Sequence, residues 1–395
     1  MYDKQNNEIS VRVAQTVPEK EESSVTLFFG GDFVVQNIPK RPSFDASIKR
    51  FIRSADFSIC NFEAPVRTDA TRAPKSGSHI DQEKWALEFI AETGFSAVAL
   101  ANNHIMDYGH QGLVATLAEA DRVGLSSVGA GIDREKATKS LRVYLHGKDI
   151  AIFNACEWHN GVIGDEATND SAGYSWLNST TLDVAVMNAR AEGQLVIVFA
   201  HAGLEHYPLP QSFWRSRYKR LVEAGADIVI GSHPHVVQGY ERVGSSIIFY
   251  SLGNMFFYNN KYAERADPGF SLYISCFDNN KISVTIVTHH KEGECLLPGP
   301  LSEADIADLN ELLDSGYARN ESEMNASVGE NLGRLLRYSQ SPVSFDGNVL
   351  SSAKRLIQTK ILGMHFPPKN ILFAHLLSNE SYRHALLVKH QNKSG

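Results

Sequence analysis

Cysteine is scarce in this chain, with four residues in 395. Cys60, Cys156, Cys276 and Cys295 show no C-x-x-C spacing, so they read as reduced, mostly structural thiols. Positive charge is also in deficit: 38 Lys and Arg face 45 Asp and Glu, for a formal net charge of -7. That excludes the basic patch that neutralises nucleic-acid phosphates, and nucleic acid is not an expected partner. No apolar run approaches the ~18 residues of a membrane span, so no membrane anchor is expected. The N-terminus through Lys20-Glu21-Glu22 lacks the basic and apolar regions of a signal peptide. A cytoplasmic location is the expectation. The G-x-x-x-x-G-K-[ST] phosphate loop is missing too, which argues against a self-sufficient ligase of that nucleotide-binding type. Internal repeats and low-complexity tracts are lacking.

What is present is a globular pattern, with 43% hydrophobic residues, enough for a sizeable core. Residues 1–24 are polar and charged and read as a flexible arm, with order beginning at Val25. From there, short apolar strands alternate with amphipathic helices: strands at 25–30, 57–61, 96–101, 126–129 and 149–154, and helices near 44–54, 82–93 and 110–123. After a long polar connection from Gly161 to Ser179, helices near 180–191 and 212–224 alternate with strands at 195–200, 227–231 and 246–250. Strands 270–277 and 282–288 flank the hairpin signal Asp278-Asn279-Asn280-Lys281. Alternation of this kind predicts a layered α/β fold with substantial parallel pairing. Beyond Pro298-Gly299-Pro300 the period becomes helical, as in 304–313, 328–336 and 350–361. The expected division is an arm (1–24), a main domain (25–300) and a helical C-terminal region (301–395).

The strand ends carry the chemistry. Gly231-Ser232-His233-Pro234-His235 follows the apolar run 226–230 and places two imidazoles one residue apart. Asp32, Glu63, Asn103 and His201 follow four other apolar runs, where an α/β sheet exposes its carboxyl edge. Carboxylate oxygens and neutral imidazoles at several strand ends are what a metal-dependent hydrolase needs to hold one or two divalent cations. The mixed oxygen and nitrogen set suits Mn, Fe, Zn or Co.

Several stretches together resemble the CapA family, associated with poly-γ-glutamate capsule synthesis and belonging to the calcineurin-like metallophosphoesterase superfamily. They are Gly30-Gly31-Asp32, Asn61-Phe62-Glu63-Ala64-Pro65, residues 101–109 (Ala-Asn-Asn-His-Ile-Met-Asp-Tyr-Gly), Gly129-Ala130-Gly131, residues 201–205, residues 225–235 and residues 250–254. The resemblance covers about residues 25–290. It implies a layered α/β/β/α metallophosphoesterase-like sandwich with a helical C-terminal appendage, and two metals per chain. Asp32 and His235 would bind the first, Glu63 would bridge, and Asn103, His201 and His233 would complete the second. His104 matches the histidine that protonates the leaving oxygen, with Asp107 placed to orient it.

The resemblance has departures. Val34 stands where the superfamily usually has a metal-binding histidine, Glu63 replaces the bridging aspartate, and Ala202 and Ser232 replace a family Trp and His. Glu205 and Tyr207-Pro208-Leu209-Pro210 are expected at the substrate mouth, Asn254 as a turn residue, Phe256-Phe257-Tyr258 in the core, and His375 and His384 as surface or capping residues. Three functions are open. The first is attack of metal-bound hydroxide on a phosphoester, with His104 as general acid. The second is metal-dependent hydrolysis or transfer of an amide on a γ-glutamyl polymer. The third is a non-catalytic scaffold of a polymer-synthesis complex. The expected partners are an anionic small molecule or polymer and other polymer-biosynthesis proteins.

Overall fold

The computed structural model describes residues 8–21, 24–158, 162, 164–259, 264–340 and 369–391. Its first stretch comprises β1 (Glu8–Val13), β2 (Val25–Val35), β3 (Ser43–Phe44), α1 (Ala46–Ser54), β4 (Phe57–Phe62), α2 (Trp85–Thr93), β5 (Ala97–Ala99), α3 (Gly109–Arg122) and β6 (Ser126–Val128). Next come β7 (Ala130–Gly131), α4 (Arg134–Thr138), β8 (Leu141–Leu145), β9 (Lys148–Cys156), β10 (Gly173–Tyr174), α5 (Thr180–Ala191), β11 (Leu195–His201), α6 (Ser212–Ala224) and β12 (Ile228–Ser232). Then follow β13 (Val237–Val243), β14 (Ser246–Leu252), β15 (Asn254–Tyr258), β16 (Pro268–Cys276), β17 (Lys281–Glu292) and β18 (Cys295–Pro298). The chain continues through α7 (Glu303–Asp314), α8 (Tyr317–Gln340), α9 (Lys369–Ser378) and α10 (Glu380–Gln391).

Local chemistry sets the helix ends. The Asp45 carboxylate caps α1 by accepting the Ser47 N–H at 2.8 Å, and Ser302 and Asp305 form a capping box at the start of α7. α2 begins at Trp85, later than its sequence pattern predicts, because Gln82 is held elsewhere: its side chain accepts the Val35 N–H at 2.8 Å.

Two mixed sheets carry the fold. The larger runs β3-β18-β17-β16-β2-β4-β5-β6, with β1 also on β17 and β15 also on β2. The smaller runs β13-β14-β12-β11-β9-β8. In the larger sheet β2, β4, β5 and β6 pair in parallel, as do β9, β11, β12 and β14 in the smaller. Strand alternation sorts the side chains among three large apolar clusters and a small fourth that takes Val34. Leu27 and Phe29 of β2 meet Ile197 and Phe199 of β11 in one that joins the two sheets. Phe28 turns the other way, onto Ile48 and Phe51 of α1 and Leu87 of α2. Val196 and Val198 turn onto Leu182 of α5 and Trp214 of α6, in a cluster that also takes in Leu332, Leu372, Leu376 and Leu386 from the C-terminal helices. Each fully buried side chain of this size contributes about 1.5–3 kcal/mol.

The flexible-arm expectation needs correction at residues 8–13. Glu8-Ile9-Ser10-Val11-Arg12-Val13 alternates polar and apolar residues, pairs in parallel with β17 from Glu8↔Lys281 to Val13↔Ile286, and buries Ile9. Average polarity conceals this period of two. The expected helix over 350–361 lies outside the described residues. Cys60, Cys156 and Cys276 are buried, and all four cysteines are free thiols. Among the described residues, no helix is long and apolar enough to cross a membrane.

Parallel pairing aligns the carboxyl ends of β2, β4 and β5 in the larger sheet and of β11 and β12 in the smaller. Close backbone approach fixes that edge: a Cβ added at Gly231 would stand 1.9 Å from the Tyr250 carbonyl oxygen. Gly231→Ala is therefore expected to cost about 3 kcal/mol or more in urea unfolding, the upper end of overpacking losses. A variant as stable as wild type would show that β12 and β14 lie farther apart.

Candidate metal centre

Asp32 reaches the site through a bulge. Gly30 pairs with Cys60 and Asp32 with Asn61, so Gly31 is the extra residue that re-aims the next side chain. The Asp32 carboxylate accepts the Asn61 amide at 2.7 Å and the His233 backbone N–H at 3.1 Å. It also stands 3.5 Å from His235 Nδ1 and 3.8 Å from His201 Nδ1. His233 and His235 both lie in the left-handed region, at φ 96° and 58°. Such backbone costs about 1–3 kcal/mol per non-glycine residue and is found where function holds it. Here it turns two imidazoles toward the carboxylates at the end of β12.

Glu63 lies between the imidazoles. Its Oε1 is 3.9 Å from His201 Nε2 and 3.8 Å from His235 Nε2. The side chain is fully buried, and among the described residues neither carboxylate oxygen has a hydrogen-bond partner. Burial, reinforced by the charge of Asp32, pushes its pKa well up. On the far side, His201 Nε2 is 3.0 Å from Asn103 Oδ1 and 3.2 Å from His233 Nδ1. Burial, then the neighbouring imidazoles, hold His201 well below its ordinary pKa. Burial leads the same lowering of His233, to about 4. Both rings are therefore neutral near pH 7, the state in which imidazole ligates metal.

Three sets of side chains bring ligand atoms within 4.8 Å of one another: Asp32, Glu63 and His235; Glu63, His201 and His233; and Glu205, His233 and His235. Glu63 is shared by the first two. The donor set fits a divalent cation, because a buried carboxylate with two unpartnered oxygens calls for one.

His104 lies beside these groups, and its Nδ1 is 2.7 Å from Asp107 Oδ2 and 2.9 Å from Lys75 Nζ. Lys75 also bonds Asp107 Oδ1 at 2.5 Å. Burial and then the Lys75 charge lower the His104 pKa. Nδ1 serves one partner at a time, donating to Asp107 as N–H or accepting from Lys75 as a bare nitrogen. Asn102 steadies the turn, its amide donating to the Phe62 carbonyl at 2.9 Å and its oxygen accepting the His104 N–H at 3.2 Å.

The site holds more than the sequence reading named. Asn61 shares a strand face with Glu63 by simple alternation, so a signal for it existed. Glu157 follows β9 as the other candidates follow their strands, and the strand-end argument applied to it as well. Its Oε1 is 3.8 Å from His233 Nε2, while Oε2 accepts the Ser381 hydroxyl at 2.5 Å. Lys75 and Ser381 carried no periodic signal. Phe257 is buried as expected, and its ring also packs edge-on at 4.8 Å from that of His235. Two expectations need correction. Asn254 is more than a turn residue, since its Oδ1 lies 2.9 Å from His235 Nδ1. His375 is buried and faces the same cavity as His104.

Residues 26–259 match the family of the bacterial capsule synthesis protein PGA_cap. The chain belongs to this family. It is 30% identical over 256 residues to the capsule biosynthesis protein CapA of Bacillus anthracis, covering 61% of this chain and 62% of that one. It is 30% identical over 213 residues to the PGA biosynthesis protein CapA of Bacillus subtilis, covering 53% and 55%. A probable polyglutamine synthesis accessory protein of Mycobacterium tuberculosis is 31% identical over 211 residues, covering 51% and 56%. The chain thus spans 55–62% of the length of these relatives. Among solved structures, the Thermus thermophilus sulfate thiohydrolase SoxB in complex with glycerol aligns at TM-score 0.38 and 10% identity, covering 77% of this chain and 62% of its own. The PGA_cap match ends at residue 259, before the C-terminal helices that supply Ser381 and His375.

Glu63→Gln removes the ionisable ligand while keeping the shape. After chelation the variant is expected to melt at or above the wild-type temperature. Added Mn²⁺ is expected to stabilise wild type by about 2.7 kcal/mol at a hundredfold excess over Kd and to leave the variant unmoved. Equal stabilisation of both would remove Glu63 from the ligand set.

Proposed function

We propose that this PGA_cap-family chain is a metal-dependent hydrolase of anionic esters that acts in capsule or poly-γ-glutamate production. In this reading the two sheets are the inner layers of an α/β/β/α metallophosphoesterase-like sandwich spanning residues 25–300, and the helices beyond it cover the site. The observation that carries the proposal is Glu63, a fully buried carboxylate whose oxygens have no hydrogen-bond partner among the described residues and which two donor groups share. Asp32, Glu63 and His235 would hold one divalent cation, and Glu63, Asn103, His201 and His233 a second, drawn from Mn, Fe, Zn or Co. Such a pair would act as Lewis acids toward a phosphoryl oxygen.

The chain's own residues supply the proton. His104 lines the cavity over the donor groups and serves as general acid to the leaving oxygen. Asp107 orients the ring through Nδ1 as a positioning residue. Lys75 gives the ring a second useful state: when Nδ1 accepts from the ammonium, a neutral imidazole carries its proton on Nε2. As that proton passes to the leaving oxygen, the Lys75 ammonium delivers one of its own to Nδ1, so the ring stays neutral and Lys75 is left as the amine. The lowered pKa of His104 makes that neutral form the relevant one.

A second reading, amide cleavage or transfer on a γ-glutamyl polymer, draws its support from the names of the relatives. Metal content of protein purified without chelator, with turnover of bis(4-nitrophenyl) phosphate and of poly-γ-glutamate in Mn²⁺, separates the two. Two metals with diester turnover supports the ester reading, whereas polymer cleavage alone replaces it with the amide one. His104→Ala is expected to lower kcat by about 10²–10⁴-fold with metal content unchanged. Unaltered turnover in that variant would sink the general-acid assignment.

A further inference from the structure

A cavity of about 490 Å³ opens over the candidate metal centre, a size suited to a small molecule. Its lining is mixed: Asn103, His104, His235 and Lys75 belong to the metal centre and its surroundings, and Gln36, Ser78 and Asn259 add further polar groups. Part of the lining comes from beyond the region matching PGA_cap. There Leu332 and Leu335 of α8 and Leu372 and Leu376 of α9 supply an apolar patch, beside His375 and Tyr382. Three of these leucines are otherwise buried, while Leu335 at the rim is 45% exposed. Lys75 is the one Lys or Arg among the described lining residues, and its charge is already paired with Asp107 at 2.5 Å. Glu205 adds a carboxylate to the same lining.

The geometry points to a substrate of divided character: a small phosphoester whose anionic head meets the donor groups and whose non-reacting part is an apolar group of about four to six carbons. This deepens the ester-hydrolase reading and rests on it. A γ-glutamyl polymer fits the cavity poorly. Every repeat of such a chain carries a free carboxylate, and the only Lys or Arg among the described lining residues is the lysine already paired with Asp107. Glu205 and the four leucines disfavour a charged repeat, and the remaining polar groups, such as Gln36, Ser78 and Asn259, are uncharged. Desolvating carboxylates against that patch is costly, whereas covering an alkyl or aryl group there is favourable. The C-terminal helices thus serve as specificity determinants.

Calorimetric binding of methyl-, butyl- and phenylphosphonate to the Mn²⁺-loaded full-length chain tests this without requiring turnover. Butyl- and phenylphosphonate are expected to bind about tenfold or more tightly than methylphosphonate, less than full burial of three added methylenes would give. In Leu372→Ala that advantage is expected to shrink at least threefold, with methylphosphonate affinity held. Leu335→Ser, at an exposed position that folding tolerates, is expected to shrink it in the same direction. A flat series in protein that has bound Mn²⁺ would overturn the inference and leave the metal reading intact. So would a gradient that both variants leave unchanged, or tighter binding of tri-γ-glutamate than of butylphosphonate. Failure to bind Mn²⁺ at all would overturn the metal reading, and this inference with it.

Discussion

Two carboxylates with no solvent exposure, Asp32 and Glu63, impose the constraint around which this site is built. A buried ion carries an effective penalty of several kcal/mol unless opposite charge and hydrogen bonds answer it. Asp32 is answered by the Asn61 amide and the His233 N–H. Among the described residues Glu63 has no hydrogen bond to either oxygen. The imidazoles of His201 and His235 face it at 3.8–3.9 Å, and His235, with its pKa raised to about 10, carries the answering charge. The Gly31 bulge, the left-handed backbone of His233 and His235, and the Asn102 brace all hold these charges in a geometry that relaxation would otherwise disperse. The strain is local, while the apolar clusters on both faces of the sheets supply the rigidity that maintains it.

Much of this arrangement was legible in the sequence because the physics there is periodic. Runs such as Ile228-Val229-Ile230 announce buried parallel strands, and the polar residue that ends each run falls at the carboxyl edge by topology alone. The sequence alternation of strands and helices accordingly reappears as β2-α1-β4-α2-β5-α3-β6 and β9-α5-β11-α6-β12. Three kinds of feature escaped. β1 was hidden because its alternation is masked by polar neighbours. Lys75 sits in a segment without period, and its place beside His104 is set by tertiary packing. Ser381 reaches Glu157 across more than two hundred residues of sequence, and a contact at that separation has no local signature.

The C-terminal helices are tied to the main body by polar contacts as well as by leucines. Glu380 accepts from the Trp158 backbone at 2.7 Å and from the Asn178 amide at 2.8 Å. Ser381 accepts the Trp214 indole N–H at 2.8 Å while donating to Glu157. Glu157 in turn faces His233, so the start of α10 lies one residue from a candidate ligand. A carboxylate behind an imidazole fixes the ring and raises its basicity toward a metal.

That placement gives the molecule an order in time. On a growing chain every member of the two donor groups has been made once His235 is added, but Ser381 and the leucine patch are not. At ordinary synthesis rates the interval is on the order of ten seconds. The donor edge is thus complete while still open to the surrounding solution. The helices that cover it arrive last, as a door hung after the room has been furnished.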